Sequence, residues 1–214
     1  MSKLSLNTMV LGAIETNVYI ISNEDTKECV IVDPAAKSRQ ILQRIDELGL
    51  TLKAILLTHG HFDHLLAVKE IKEQYPQVPV YAHEQELDLI RRPKSESLGV
   101  DFSEYGFTPD IAVHDGDVLE LIGFTWTVLH TPGHTIGSVC YYLEDEKMLI
   151  AGDTVFECGF GRTDLETGSE TDIIRSFKEK IFTLQDDVRV YPGHGYGTTI
   201  GKERMSNMIL MYMN

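Results

Sequence analysis

"LLTHGHFDH", residues 56–64, sets three histidines and an aspartate within six positions, directly behind the apolar run "KAILLT" (53–58). A short, continuously apolar run of this kind has the character of a strand buried on both faces. His59 and His61 stand two apart just past it, a spacing that lets both imidazoles converge on one ion where the backbone is extended. Asp63 and His64 extend the set. Imidazole suits zinc, iron and related divalent metals, and carboxylate adds a hard anionic ligand. The competing account makes Asp63 an N-cap of the helix that follows and the histidines plain loop residues.

Outward from this stretch, strand-like and helix-like segments alternate with no low-complexity linker, so one domain over residues 1–214 is expected. "NVYIIS" (17–22) and "ECVIVDP" (28–34) read as a hairpin around the polar "NEDTK". "SRQILQRIDELG" (38–49) spaces Ile41, Leu42, Ile45 and Leu48 as a helix, with Ser38 as N-cap and Gly49 as stop. "HLLAVKEIKEQY" (64–75) predicts a second helix, closed by Pro76, and "VPVYAH" and "EQELDLIRR" a strand and a short helix. Residues 93–110 form a long connection whose Phe102, Tyr105 and Phe107 either cover a site or anchor the loop. "GSVCYYL" and "KMLIAGD" then form a second hairpin that ends in Asp153, as the first ends in Asp33. A Gly-rich loop follows, then a helix from about 170 to 184 capped by Ser169 or Thr171, the strand "VRVYPGH", and a terminal helix from near Gly201. Two β-rich halves, each with helices, predict an α/β protein of two packed sheets covered by helices on their outer faces.

The chain has 214 residues, 43% of them hydrophobic, and a net charge of −14, which argues against partners held through their phosphates. Nucleic acid and acidic membrane are therefore not expected. Cys29, Cys140 and Cys158 are odd in number and widely spaced, as free thiols of a reducing compartment would be. The N-terminus lacks the pattern of a signal peptide, and no apolar run approaches the roughly 20 residues of a membrane span. A soluble, cytoplasmic protein is expected.

Two further stretches repeat one arrangement. "HTPGHTIGS" (130–138) brings His134, and "YPGHGYG" (191–197) brings His194, each after a strand and a Pro-Gly turn, while "LIAGDT" (149–154) puts Asp153 at a strand end. Seven candidates, His59, His61, Asp63, His64, His134, Asp153 and His194, are too many for one tetrahedral ion and fit two.

With these residues in order, the chain resembles the metallo-β-lactamase superfamily, whose pattern His-x-His-x-Asp-His, then His, Asp and His, is present over almost its whole length. The resemblance implies a four-layer αββα sandwich of two mixed sheets with the site at one edge. It implies that His59, His61 and His134 hold one divalent ion, that Asp63, His64 and His194 hold the other, and that Asp153 bridges them. Zinc is the first expectation, with iron and manganese accepting the same ligands. Two such ions acidify a shared water and polarise a carbonyl, so a bridging hydroxide is the nucleophile, with Asp63 orienting it or taking its proton.

"GDTVFECGFGRTD" (152–164) and "YPGHGYGTTIGKERMSN" (191–207) narrow the likeness to the glyoxalase II group, hydroxyacylglutathione hydrolases and their short bacterial relatives. That implies cleavage of a thioester such as S-lactoylglutathione, with Arg162 where the group has a substrate-binding Lys. The sequence departs at Asp164, where the group has an aromatic, and in ending before the group's helical domain. A different or smaller thioester or ester is thus also compatible. The alternative is the persulfide dioxygenase branch, which the "GRTD" loop also resembles. There one iron is held by residues matching His59, His134 and Asp153.

Asp33 is a candidate partner for a metal-bound histidine. Cys158 is expected to pack, and His83, His114 and His130 match no ligand position. Met205, Met208, Ile209 and Tyr212 make an apolar stripe that is expected to close the protein's own core, with dimerisation as the alternative.

Overall fold

The computed structural model describes residues 3–95 and 99–213. Its first half runs β1 (Leu4–Leu11), β2 (Thr16–Asn23), β3 (Glu28–Val32), α1 (Ser38–Glu47), β4 (Thr51–Leu56), α2 (Val68–Gln74), β5 (Val80–His83), α3 (Leu87–Arg91), the short β6 (Lys94–Ser95) and β7 (Val100–Asp101), and β8 (Ile111–Val113). The second half runs β9 (Val118–Leu121), β10 (Phe124–His130), β11 (Val139–Leu143), β12 (Met148–Gly152), the short β13 (Val155–Phe156) and β14 (Gly159–Phe160), α4 (Glu170–Glu179), β15 (Arg189–Pro192), β16 (Thr198–Thr199) and α5 (Ile200–Ser206).

Two six-stranded sheets result, in the orders β1-β2-β3-β4-β5-β8 and β16-β15-β12-β11-β10-β9. Both are mixed: β3, β4, β5 and β8 pair in parallel in the first sheet, and β12 and β15 in the second.

The period-2 alternation of the strands separates the layers. Val18, Ile20 and Ile31 face outward and pack with Ile41, Leu42 and Ile45 of α1 and Val68 and Ile71 of α2. Their neighbours Tyr19, Ile21, Val30 and Val32 point inward against Trp126, Val128, Tyr141 and Ile150 of the second sheet. On that sheet's far face Cys140, Leu149 and Val190 meet Ile173 and Phe177 of α4 and Ile200 of α5. Each side chain buried in full in these layers contributes roughly 1.5–3 kcal/mol. The outcome is the αββα sandwich, and its continuous apolar strands are apolar because both of their faces are covered.

Several boundaries differ from expectation. The helix expected over 64–75 begins only at Val68, because Phe62–His64 forms a single 3-10 turn and residues 65–67 turn before α2 starts. Asp63 caps neither element. Lys37, in the left-handed region, precedes α1 in place of Ser38, whose hydroxyl instead donates to Glu70. Ser169 caps α4 by accepting from the Asp172 N–H, but α4 stops at Glu179 and a 3-10 turn takes over at Ile181–Thr183. The terminal helix starts at Ile200, one residue early, and breaks at Asn207 into a 3-10 segment, Met208–Tyr212. That break rotates the expected stripe apart: Ile209 is buried, while Met205, Met208 and Tyr212 are exposed. Residues 96–98 of the long connection lie outside the described residues. No helix among the described residues is long and apolar enough to cross a membrane.

Candidate metal centre

All seven candidate ligands come together at one edge of the sandwich, beyond the carboxyl ends of β4, β10, β12 and β15. The loop after β4 carries His59, His61, Asp63 and His64, the turn after β10 carries His134, and Asp153 and His194 follow β12 and β15. The two sheets are stitched together here. Asn17 N donates to Gly193 O at 2.7 Å, Val139 N to Thr58 O at 2.8 Å, and the Tyr19 hydroxyl to Pro192 O at 2.6 Å. Gly193 has to be glycine, since a Cβ there would collide with Asp153 Oδ1 and come within 2.7 Å of His64 Cε1.

The donors fall into two groups. His59, His61 and His134 offer nitrogens within 4.8 Å of one another, and so do the donor atoms of Asp63, His64 and His194. Asp153 stands between them, 3.5 Å from the Nε2 atoms of His64, His134 and His194. Asp63 Oδ2 lies 3.2 Å from Nε2 of both His64 and His194, and accepts from the Thr16 hydroxyl at 3.0 Å.

Outer hydrogen bonds fix which nitrogen faces inward. His64 Nδ1 meets Asp33 Oδ2 at 2.9 Å, His134 Nδ1 the Arg162 carbonyl at 2.8 Å, and His194 Nδ1 the Ile14 carbonyl at 3.0 Å. Each of these nitrogens is a donor, which leaves Nε2 facing the centre, with a lone pair there whenever the ring is neutral. Thr58 gives its hydroxyl proton to Asp33 Oδ2 at 2.6 Å, so its oxygen accepts from His59 Nδ1 at 3.0 Å. Asp33 thereby sets two imidazoles, one directly and one through Thr58. Asp33, His59 and His64 also cluster closely enough to resemble a ligand group, but both Asp33 oxygens are occupied by Thr58 and His64.

Electrostatics separates the groups further. Burial, then the neighbouring rings, hold His59 well below its ordinary pKa and push His61 down to about 3, and burial lowers His134. This trio is neutral. For His64 burial acts downward, but the carboxylates of Asp63, Asp153 and Asp33 outweigh it and raise its pKa; His194 is raised against burial by Asp63. Burial opposes the charge on Asp63, yet His64 and His194 keep it well below the usual carboxylate range. Buried His59 Nε2, His64 Nε2 and Asp153 Oδ1 have no hydrogen-bond partner. Buried polar atoms are rarely left so. Lone pairs of three imidazoles and of carboxylates aimed at common points match the donor set of divalent cations.

A cavity of about 400 Å³ opens onto these groups, with Ile14, Phe62, Leu89 and Leu165 on its apolar walls and Lys94, Arg162 and Glu166 among its charged ones. Arg162 lines this cavity, but its guanidinium forks onto Asp164 through two bonds of 2.7 Å. Lys94 pairs with Glu166 at 2.8 Å. Phe102 stacks on Phe62, with centroids 4.7 Å apart, while Phe107 packs on the outer core. Cys158 is only partly buried and sits beside Ser206 of α5. His83 and His130 stack on each other, apart from the donor groups. Thr16, Thr58 and Glu86 escaped the sequence reading. Each sits within or beside an apolar or charged run whose pattern accounts for it without a site.

Residues 11–194 match the metallo-β-lactamase superfamily. The chain is 35% identical to the hydroxyacylglutathione hydrolase GloC of Haemophilus influenzae, over 97% of this chain and 98% of that protein. Among solved structures it resembles the BLEG-1 B3 metallo-β-lactamase, with a TM-score of 0.88 and 37% identity over 96% of this chain and 99% of that one. It also resembles TTHA1623 in a di-iron-bound form, with a TM-score of 0.82 and 32% identity over 94% and 98% of the two chains.

Proposed function

Because the chain belongs to the metallo-β-lactamase superfamily, we propose that it is a dinuclear metal-dependent hydrolase that cleaves a thioester such as S-lactoylglutathione, or a related thioester or ester. The observation that carries this reading is the pairing of two donor groups, a three-imidazole set and an Asp-His-His set, with Asp153 within 3.5 Å of both. His59, His61 and His134 would hold one ion and Asp63, His64 and His194 the other, with Asp153 placed to serve both. Zinc is the first choice, and likeness to a di-iron-bound protein supports iron as well.

When bound, a pair of divalent ions supplies the Lewis acidity that brings the pKa of a water down to about 7 and polarises a carbonyl. The protein's own groups do the rest. Asp63 is held ionised by His64 and His194 and anchored by Thr16, so it orients a water better than it stores a proton. Asp33 keeps His59 and His64 in the ligating tautomer. Ile14, Phe62, Leu89 and Leu165 pack an acyl chain and thin the water around the reacting carbonyl. A thiolate leaves without a proton donor, so no general acid is needed. Arg162 binds the carboxylate end of a thiol such as glutathione once it is released from Asp164.

Two other readings share the fold. Likeness to BLEG-1 points to β-lactam hydrolysis, and the branch that holds one iron through His59, His134 and Asp153 points to persulfide oxidation. One set of assays separates them: metal content per chain, with turnover of S-lactoylglutathione, of a chromogenic β-lactam, and oxygen uptake with glutathione persulfide. Two metals and thioester cleavage support the proposal. One iron with sulfite formation, or lactam turnover that exceeds thioester turnover, overturns it.

A further inference from the structure

Glu86 closes the 3-10 turn after β5 and is fully buried. Its Oε2 accepts the Gly60 N–H and its Oε1 the Gly137 N–H, each at 2.6 Å, and the Thr135 side chain adds a further hydrogen bond. Gly60 lies between His59 and His61, and Gly137 lies three residues past His134. One carboxylate therefore joins the ligand loop of the first sheet to the ligand loop of the second. Both contacts need glycine. A Cβ on Gly60 would stand 2.9 Å from Glu86 Oε2 and 2.8 Å from Leu89 Cβ, and one on Gly137 2.8 Å from Glu86 Cγ. Short bonds from backbone N–H to a buried carboxylate are of the strong, charge-assisted kind. The span they brace ends at His61 Nδ1 and His134 Nε2, which face each other at 2.9 Å.

We propose that Glu86 is a positioning residue for the three-imidazole half of the centre: it pins the two ligand loops to each other and so sets the reach between His61 and His134. This rests on the assignment of two metals made above. Glu86 touches neither substrate nor ion in this role; it acts through Gly60 and Gly137.

The test is a titration of the full-length protein with Zn²⁺ against a chromophoric chelator, for wild type, Glu86→Gln and Glu86→Asp, with circular dichroism and melting of each. The amide of Glu86→Gln has one acceptor, so one N–H loses its partner. One of the two binding steps weakens about 10–100-fold, the usual scale for partners behind a ligand, while the other keeps its wild-type affinity. Glu86→Asp keeps the charge but reaches only one loop, and falls between. Folded Glu86→Gln with both steps at wild-type strength overturns the proposal, as does equal weakening of both steps in parallel with the melting temperature. Failure of both variants to fold makes Glu86 a folding residue and also overturns it. Wild type that binds fewer than two ions overturns the centre itself, and this inference with it.

Discussion

His61 and His134 reach toward each other from loops of opposite sheets until two ring nitrogens stand 2.9 Å apart. His134 spends its only proton on the Arg162 carbonyl, so its Nε2 brings a lone pair to this contact, and the metal proposed above would engage both rings. Removal of metal with a chelator should therefore abolish hydrolysis and lower the melting temperature. An ion present at about a hundred times its Kd stabilises the native state by about 2.7 kcal/mol. Scanning calorimetry before chelation, after it, and after zinc is restored measures this. An unchanged melting point would remove the centre from the protein's stability.

Gly193→Ala is expected to lose metal and activity together, because the added methyl occupies the place of Asp153 Oδ1 and crowds His64. A weakening of metal binding by more than about tenfold is the scale of a disturbed ligand environment. The variant's metal content after dialysis decides it, and full occupancy would mean that the turn gives way freely.

Arg162 and Asp164 form a closed fork at the cavity. If Arg162 holds the carboxylate of a glutathione thioester, Asp164→Asn frees it and lowers KM several-fold, while Arg162→Ala raises KM; kcat changes little in either. Steady-state kinetics on S-lactoylglutathione tests both. Identical KM values across the three proteins would place recognition elsewhere.

His83 gives a pH dependence outside the centre. Burial, then the stacked ring of His130, pushes its pKa down to about 4 from an ordinary 6.5. Below 6.5 the unfolded chain binds a proton that the folded one refuses, so this contribution to stability is full above 6.5 and is lost as pH falls toward 4. His83→Gln should flatten that part of the acid limb. Melting temperatures of wild type and variant, followed from pH 7 to 4, should converge or cross; a constant difference would show that His83 does not titrate there.

Much of this was written in the sequence. The seven candidate ligands are legible because each follows an apolar strand, and strand ends are where a buried sheet presents polar groups. The inner and outer faces of β2 and β3 are readable by alternation. β1, β8 and β9 went unread, because they lie at sheet edges and carry mostly exposed or half-buried residues that blunt the pattern. Glu86 was hidden for the opposite reason: in "EQELDLIRR" a glutamate looks like a solvated helix face, and only the approach of two glycines from distant loops makes it an interior acid. The committed state of Arg162 was likewise invisible, since its partner lies two residues away in a loop without periodicity.

The stitching of the two sheets at their shared edge also orders events during folding. A nascent chain that has formed only the first sheet presents His59, His61, Asp63 and His64, yet His134, Asp153 and His194 arrive with the second. Tight ion capture then comes with sheet docking, and its free energy adds directly to that long-range step. With His59 and His194 standing 135 positions apart, such closure belongs to the slow class of contacts. On the two-metal reading, the ions would therefore be held in full only once both sheets are in place.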